Sequence, residues 1–470
     1  MKTPPIGRLE LMADRHMIQR TKRLDHRLEE PRCEGAVFWF DQPWEGPLSG
    51  YCTVLHDSDR DEFKLYYRGL SDGSMECRRG EVTCLATSAD GINWIRPNLG
   101  LHSWQDKDET NIVLAEEPPF SHNFTPFIDL RPDVSKESCF KALAGVAPLG
   151  LHAYVSSDGV NWTRQSERPA ISDGMLDSQN VAFWSNHEQL YICYLRTWTG
   201  EGFSGTRTIS RSVSKDFRRW SKPKQMRFGG RPLEHLYTNQ TQPYPGAPHL
   251  YIGIAARFMP DRQRLSESEA KELKVDPEYY NDCSDVVLLT SRGGNRYART
   301  VPEAFLRPGI GLEHWVSRTN FPAYGVVQTA PDQLSFYLNT HYAQPGAQLC
   351  RYTLPLDRLG YLEGRDAWGE MISKSFPVEQ NAQLSINMAT SAAGSVQVAV
   401  LDEDYAPLPG FTWTECGELI GNELDRNVRW VQEGVIRRLG QAAVPRIRLH
   451  FRLRDARLYA YRIHSGQPRT

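Results

Sequence analysis

Four carboxylates stand at matching places in a repeated pattern. Asp41 and Glu45 precede the first group of strand-like segments, Asp177 precedes the third, and Glu234, followed by His235, precedes the fourth. A single acid ahead of a strand is usually solvated surface, whereas several at one repeat offset point to a shared pocket. Paired carboxyl groups can break a glycosidic bond: one protonates the leaving oxygen, and the other attacks the anomeric carbon or activates water. Burial and like charge would keep one protonated, and Arg or amide donors would hold the other ionised. On this reading Glu234 is the acid, beside His235 and Tyr237. Glu45 is the base or nucleophile with Asp41 in reserve, and Asp177 orients the sugar. Asp129 and Asp133 are the next carboxylates in line.

Polar pairs open the same segments. His122-Asn123, Gln179-Asn180, Thr238-Asn239 and Thr319-Asn320 each precede an apolar strand. Their amides either cap neighbouring strands or ring a channel and bond ligand hydroxyls. The second reading gives a binding set of Trp44, Arg68, His122, Asn123, Asn180, His235, Asn239, Arg318 and Asn320. Arg68, Arg196 and Arg257 end second strands, and Arg318 opens the fifth group. Guanidinium forks pair bidentately with carboxylates. These arginines therefore bond loop carbonyls and channel acids, or else hold an anionic sugar such as a uronic or keto acid.

The elements that position these residues show in a recurring corner. Asp90-Gly91 leads to Trp94, Asp158-Gly159 to Trp162, and Asp216-Phe217 to Trp220, with a degraded copy at Thr290–Gly294. Asp-Gly makes a tight turn because Gly accepts positive φ and Asp bonds nearby backbone. Recurrence at roughly 60–70 residues predicts radially arranged four-stranded sheets whose inner strands converge at one mouth. Trp94, Trp162 and Trp220 then belong to the outer parts of successive sheets. Ser266–Leu273 reads as a short capped helix within an insertion. From about Ile372 the strands alternate strictly, as in Ser395–Val400 and Arg446–Phe451, which predicts half-buried antiparallel strands. The expected fold class is all-β: a five-bladed β-propeller followed by a β-sandwich domain. Residues 1–35 form an N-terminal arm or strand closing the propeller, 36–371 the propeller with the site, and 372–470 the sandwich.

Composition narrows the partners. A net charge of −2 over 470 residues gives no basic face for nucleic acid. No apolar run is long enough to span a bilayer, so no membrane partner is expected. The first residues lack an apolar leader, which predicts a cytoplasmic protein. Nine cysteines lie singly, as reduced thiols do, without zinc-ligand spacing. No cofactor and no catalytic metal are expected; His122 or His235 could hold one axial structural cation or water. Nothing in the sequence specifies an oligomeric state.

The layout resembles the five-bladed propeller glycosidases, the superfamily of invertases, levanases and arabinanases. It is most similar to glycoside hydrolase family 32, which also carries a C-terminal β-sandwich. Leu176–Trp184 resembles that family's Arg-Asp-Pro stretch, with Asp177 where the family's Asp steadies the transition state. Asp41 and Glu45 fall where the family has its nucleophile, and Glu234 is the nearest match to its acid. Three features depart from the pattern. Trp44-Glu45-Gly46 stands in the region of Asn-Asp-Pro-Asn-Gly, Leu176 replaces the Arg, and Glu234 comes one blade late. The resemblance implies a glycosidase removing a terminal sugar from a carbohydrate substrate. Rival readings are a propeller glycoside phosphorylase, with Arg68, His122, His235 and Arg318 around phosphate, and a non-catalytic carbohydrate-binding propeller.

Overall fold

The computed structural model describes residues 8–71, 80–115, 119–442 and 444–465. It divides into two units, one of Pro31–Thr329 with Ser335–Thr353 and one of Met1–Glu30, Ala330–Leu334 and Leu354–Thr470. Among the described residues, no helix is long and apolar enough to cross a membrane.

The first unit is a five-bladed β-propeller, as the repeats predict. Blade one runs Gly50–Asp57, Glu62–Leu70, Glu81–Ser88 and Ile112–Leu114, all antiparallel. Blade two is Thr125–Ile128, Phe140–Ala144, His152–Ser156 and Thr163–Arg164. Blade three is Val181–Ser185, Leu190–Trp198, Arg207–Ser214 and Lys224–Gln225. Blade four is built on Leu236–Thr238, Thr241–Tyr244, Ala247–Met259 and Cys283–Ser291. Blade five holds Phe321–Pro322, Val327–Ala330, Gln333–Thr340 and Gln348–Pro355, and its outer strand is Arg32–Trp39. A strand from the start of the unit thus completes its last blade and ties the ring shut. Second strands are covered on both faces by neighbouring blades. They therefore read as nearly continuous apolar runs, such as Tyr191–Leu195, all buried.

The Asp corners join blades. In each, the aspartate accepts from two backbone N–H groups ahead, as Asp158 does from Val160 and Asn161 at 2.8 Å each. The corner of blade two then takes Tyr66 from blade one, whose hydroxyl donates to Gly159 O at 2.7 Å. Tyr337 of blade five does the same to Gly91 O at 2.6 Å. Gly159 has φ +75, and a Cβ there would collide with the Tyr66 hydroxyl, so glycine leaves the room for this stitch. Trp94, Trp162 and Trp220 each close the third strand of a different blade, packing against Tyr337, Tyr66 and Phe217 respectively.

The second unit corrects the reading of residues 1–35. Arg8–Leu11, Ile18–Lys22 and Leu24–Leu28 pair with Arg446–Ser465, Gly369–Ser373 and Gly360–Gly364, so they belong to the C-terminal sheet and do not close the propeller. The boundary also moves from 372 to 354, because Gly360–Gly364 and Gly369–Ser373 pair with Arg446–Ser465. The alternating strands form one nine-stranded antiparallel sheet around an apolar core that includes Ile386, Val398, Trp430 and Phe451. The 20-residue strands Ala382–Leu401 and Arg446–Ser465 carry it, with register shifts at Asn387/Met388 and Thr390/Ser395. The insertion helix is Glu267–Glu272, with a capping box between Ser266 and Glu269.

Candidate active site

The propeller axis is filled. Gln179 donates to Cys52 O and Thr53 Oγ1 at 3.0 Å each, and Gln240 donates to Gln179 Oε1 at 2.6 Å and Pro322 O at 2.7 Å. Two glutamine side chains thereby tie blades one, three, four and five across the axis. Tyr324 lies beside them, its hydroxyl donating to Ala182 O at 3.4 Å. A pocket opens against this plug, walled by Tyr51, Arg68, Gln179, Tyr237, Arg318 and Tyr342 among others.

Its walls are cations laid on aromatic rings. The Arg68 guanidinium sits 4.8 Å from the Tyr51 ring centre. Tyr237 carries three: Arg196 at 4.4 Å, Arg318 at 5.3 Å and Arg207 at 5.5 Å. Such contacts stabilise a cation by about 0.5–2 kcal/mol each, more as water is excluded. They also fix flat, rigid donors. Arg68 is further held by Leu48 O at 2.7 Å, the Tyr342 hydroxyl at 2.9 Å and the Glu81 carboxylate at 3.8 Å. Arg207 forms no salt bridge among the described residues; its Nε is buried without a hydrogen bond and its Nη1 lies 3.5 Å from His235 Nδ1. Burial pushes its pKa down, and the charges of Arg196 and Arg318 add to that. An anionic group would relieve this.

Two carboxylates flank the arginines. Asp177 precedes the inner strand of blade three; its Oδ2 lies 3.2 Å from Arg196 Nη1, and its Oδ1 is buried without a hydrogen bond. Asp282 sits at the start of the third strand of blade four, with Oδ1 likewise buried and unbonded. Burial raises its pKa; a hydrogen bond from Ser317 and the charges of Arg318 and Arg207 oppose that without cancelling it. Arg207 interacts electrostatically with both aspartates. The arrangement offers one carboxyl whose pKa burial raises and one tied to a guanidinium, a difference in environment of the kind that separates acid from base in a carboxylate pair.

Several expected site residues lie in other networks. Glu45 is buried and accepts from the Tyr67 hydroxyl at 2.5 Å and from Arg96 Nε at 3.0 Å and Nη2 at 2.8 Å. Trp44 donates to Asn111 Oδ1 at 2.9 Å in the same cluster, and Asp41 is exposed, 3.2 Å from Arg96. These residues lock the packing between blades one and five and are absent from the pocket wall. Glu234 is clamped by Arg257, 3.0 Å away, and by Arg299. Asp129 is buried against Lys141 and Tyr191, and Asp133 is exposed. The sequence placed acids at strand openings correctly, but which way a side chain turns there depends on partners distant in the chain.

The asparagines resolve toward capping. Asn123 donates to Gly145 O, Leu176 O and Ser178 O at 2.9 Å each, which joins blade two to the loop before blade three. Asn180 donates to Ser178 O at 2.7 Å, Asn239 accepts from Thr241 N at 3.0 Å, and Asn320 donates to His314 O at 3.0 Å. Of the remaining binding candidates, Arg68 and Arg318 line the pocket. His122 stands behind Arg68, bonded to it at 3.1 Å and to Glu81 at 3.0 Å. His235 is a neighbour of Arg207, 3.3 Å from its backbone N; burial and then the Arg207 and Arg196 charges lower its pKa.

Arg207, Asp282, Glu81 and Tyr51 were not anticipated. In an antiparallel blade the end of the second strand and the start of the third share one edge: Leu70 pairs with Glu81, Trp198 with Arg207 and Met259 with Cys283. Charged residues at third-strand starts were therefore a usable signal. Tyr51 has φ 49, a conformation that sequence does not announce for tyrosine.

The sequence matches no protein-family profile. It is 31% identical over 124 residues to a curated protein, the A type blood N-acetyl-α-D-galactosamine deacetylase of Flavonifractor plautii. That match spans 26% of this chain and 15% of the relative's length. Among solved structures, an N-acetylgalactosamine deacetylase from F. plautii in complex with blood group B trisaccharide aligns at TM-score 0.47 and 13% identity. It covers 71% of this chain and 96% of that one. A glycoside hydrolase family 43 arabinoxylan arabinofuranohydrolase from Bacillus subtilis aligns at TM-score 0.39 and 10% identity, over 90% of this chain and 96% of that one. A fructofuranosidase from Schwanniomyces occidentalis aligns at TM-score 0.38 and 9% identity, over 92% and 97%. The propeller assignment rests on the sheet topology of this chain itself.

Proposed function

We propose that the protein is a glycoside-acting enzyme that removes a terminal, anionic sugar, with Asp282 as proton donor and Asp177 as nucleophile or base. The observation that carries this reading is the pair of aspartates that interact electrostatically with one guanidinium without a salt bridge, Arg207, beside a pocket lined by arginine and tyrosine. Asp282 would give its proton to the leaving oxygen as the glycosidic C–O bond breaks. Asp177, or a water it activates, would bond to the anomeric carbon from the other side. Arg207 and Arg318 would hold a carboxylate of the sugar, and the tyrosine faces would pack on the ring. The curated relative is named for chemistry on N-acetylgalactosamine, which fits a carbohydrate ligand.

The test is a panel of neutral and acidic oligosaccharides incubated with and without inorganic phosphate. Reducing sugar released from acidic substrates without phosphate is the expected result. Release only with phosphate would instead indicate phosphorolysis, and binding without release a carbohydrate-binding propeller. Acetate in place of reducing sugar would move the chemistry from the glycosidic bond to an acyl group.

A further inference from the structure

We infer that Glu313, His314 and His341 form a divalent transition-metal site beside the pocket. One donor atom of each residue lies within 4.8 Å of those of the other two. Glu313 and His314 share the short turn Leu312–Trp315, with Glu313 Oε1 3.7 Å from His314 Nε2. His341 follows the second strand of blade five, and its ring centre is 5.4 Å from that of His314. A small inward movement of these side chains would seat an ion at the bond lengths of about 2.0–2.2 Å typical for His and carboxylate ligands.

The surroundings favour this over chance proximity. The backbones are pinned while the side chains stay available: Gln344 donates to Glu313 O at 3.0 Å, and Asn320 donates to His314 O at 3.0 Å. The Gly346 backbone lies within hydrogen-bonding reach of the His341 ring and can help orient it. Gly309 and Gly311 leave space where it is needed. A Cβ at Gly309 would come 3.0 Å from the His314 ring nitrogen, and one at Gly311, φ +108, would strike the Glu313 carboxylate. His341 itself is held at φ 55, a conformation that a functional placement can sustain.

Two imidazoles and one carboxylate form a borderline donor set that suits Zn²⁺ and its neighbours better than Ca²⁺ or Mg²⁺. Three protein ligands leave a coordination position open to water or to a ligand group. Tyr342, the next residue after His341, lines the pocket and bonds Arg68 at 2.9 Å, so an ion here would set the position of the pocket wall. The cluster has no ligand spacing legible in the chain, because 27 positions separate His314 from His341.

The test is titration of metal-stripped full-length protein with Zn²⁺ by calorimetry, with Co²⁺ absorption as a second readout. One ion per chain bound without thiolate charge-transfer bands is expected, as is loss of affinity by at least about tenfold in His314→Ala and in His341→Asn. Asparagine is chosen at 341 because it tolerates positive φ. Thermal melting of the metal-free variants checks that they fold. Failure of the wild-type protein to bind, or binding unchanged in both variants, would overturn the inference. Either outcome leaves the proposed roles of Asp177 and Asp282 standing.

Discussion

Arg196 Nη1 lies 3.2 Å from Asp177 Oδ2, while the second oxygen of the same carboxylate is buried without a hydrogen bond. A carboxylate held at one oxygen and bare at the other is oriented and still reactive. The guanidinium that orients it is itself fixed by the Tyr237 ring, 4.4 Å away, and by Tyr237 O at 2.5 Å. Asp177→Asn would keep the shape and remove the charge. Its expected effect is a loss of most turnover with little change in melting temperature, measured by steady-state kinetics and calorimetry together.

Glu45 gives the opposite expectation. Its charge is buried and shared with Arg96 and Tyr67 between blades. Glu45→Gln leaves Arg96 only the exposed Asp41 as a counter-charge and is expected to destabilise the propeller by about 1–3 kcal/mol. Urea unfolding reads this directly. Wild-type stability combined with a selective loss of turnover would show that Glu45 belongs to the chemistry after all.

Arg207 tests the charge of the ligand. Arg207→Met keeps much of the stem's packing and removes the charge. For an acidic substrate KM should rise roughly tenfold to a hundredfold, the equivalent of one charge-assisted hydrogen bond of about 1.5–3 kcal/mol. A neutral analogue of the same sugar should show little change. Equal effects on both would mean that Arg207 supports the pocket without reading charge.

The blade count was legible because its signal is local. Asp90-Gly91, Asp158-Gly159 and Asp216-Phe217 each satisfy their turn within a few residues, so the corner survives as a short motif. The site was legible only in part. Arg68 and Arg318, picked out by their place in the repeat, line the pocket and Asp177 pairs with Arg196, but Glu45 and Glu234 occupy equivalent places and turn toward Arg96 and Arg257 instead. Those partners come 51 and 23 positions later in the chain, beyond what a repeat register can report. A closing strand was expected within residues 1–35, but only residues 32–35 of that stretch belong to it, as part of Arg32–Trp39, because its partner Gln348–Pro355 is distant in the chain.

The corners also carry an acid-stability expectation. Burial alone would raise the pKa of Asp158, but the Asn161 side chain, the Asn161 and Val160 backbone N–H groups and Ser156 bring it down to about 2. A carboxyl whose folded pKa is depressed stabilises the fold above its unfolded value and loses that contribution as pH falls through the folded one. Asp158→Ala should therefore cost about 1–2 kcal/mol at neutral pH. The difference from wild type should shrink between roughly pH 4 and pH 2. Melting curves across that range measure it, and a difference independent of pH would refute the assignment.

The most direct measurement is the pH profile of sugar release by wild type and by Asp282→Asn. Burial raises the Asp282 pKa, so its proton is held more tightly in the fold than in the unfolded chain. Stability drawn from that proton is present below the unfolded pKa and lost as pH rises through the folded value, so Asn at this position should not destabilise the neutral protein. Wild-type kcat/KM should fall on the alkaline side as Asp282 ionises. Asp282→Asn should lose roughly a hundredfold or more in rate, together with that alkaline limb, at unchanged melting temperature. A variant that keeps wild-type turnover and the same alkaline limb would contradict the assignment of Asp282 as the acid and, with it, the proposed chemistry of the pocket.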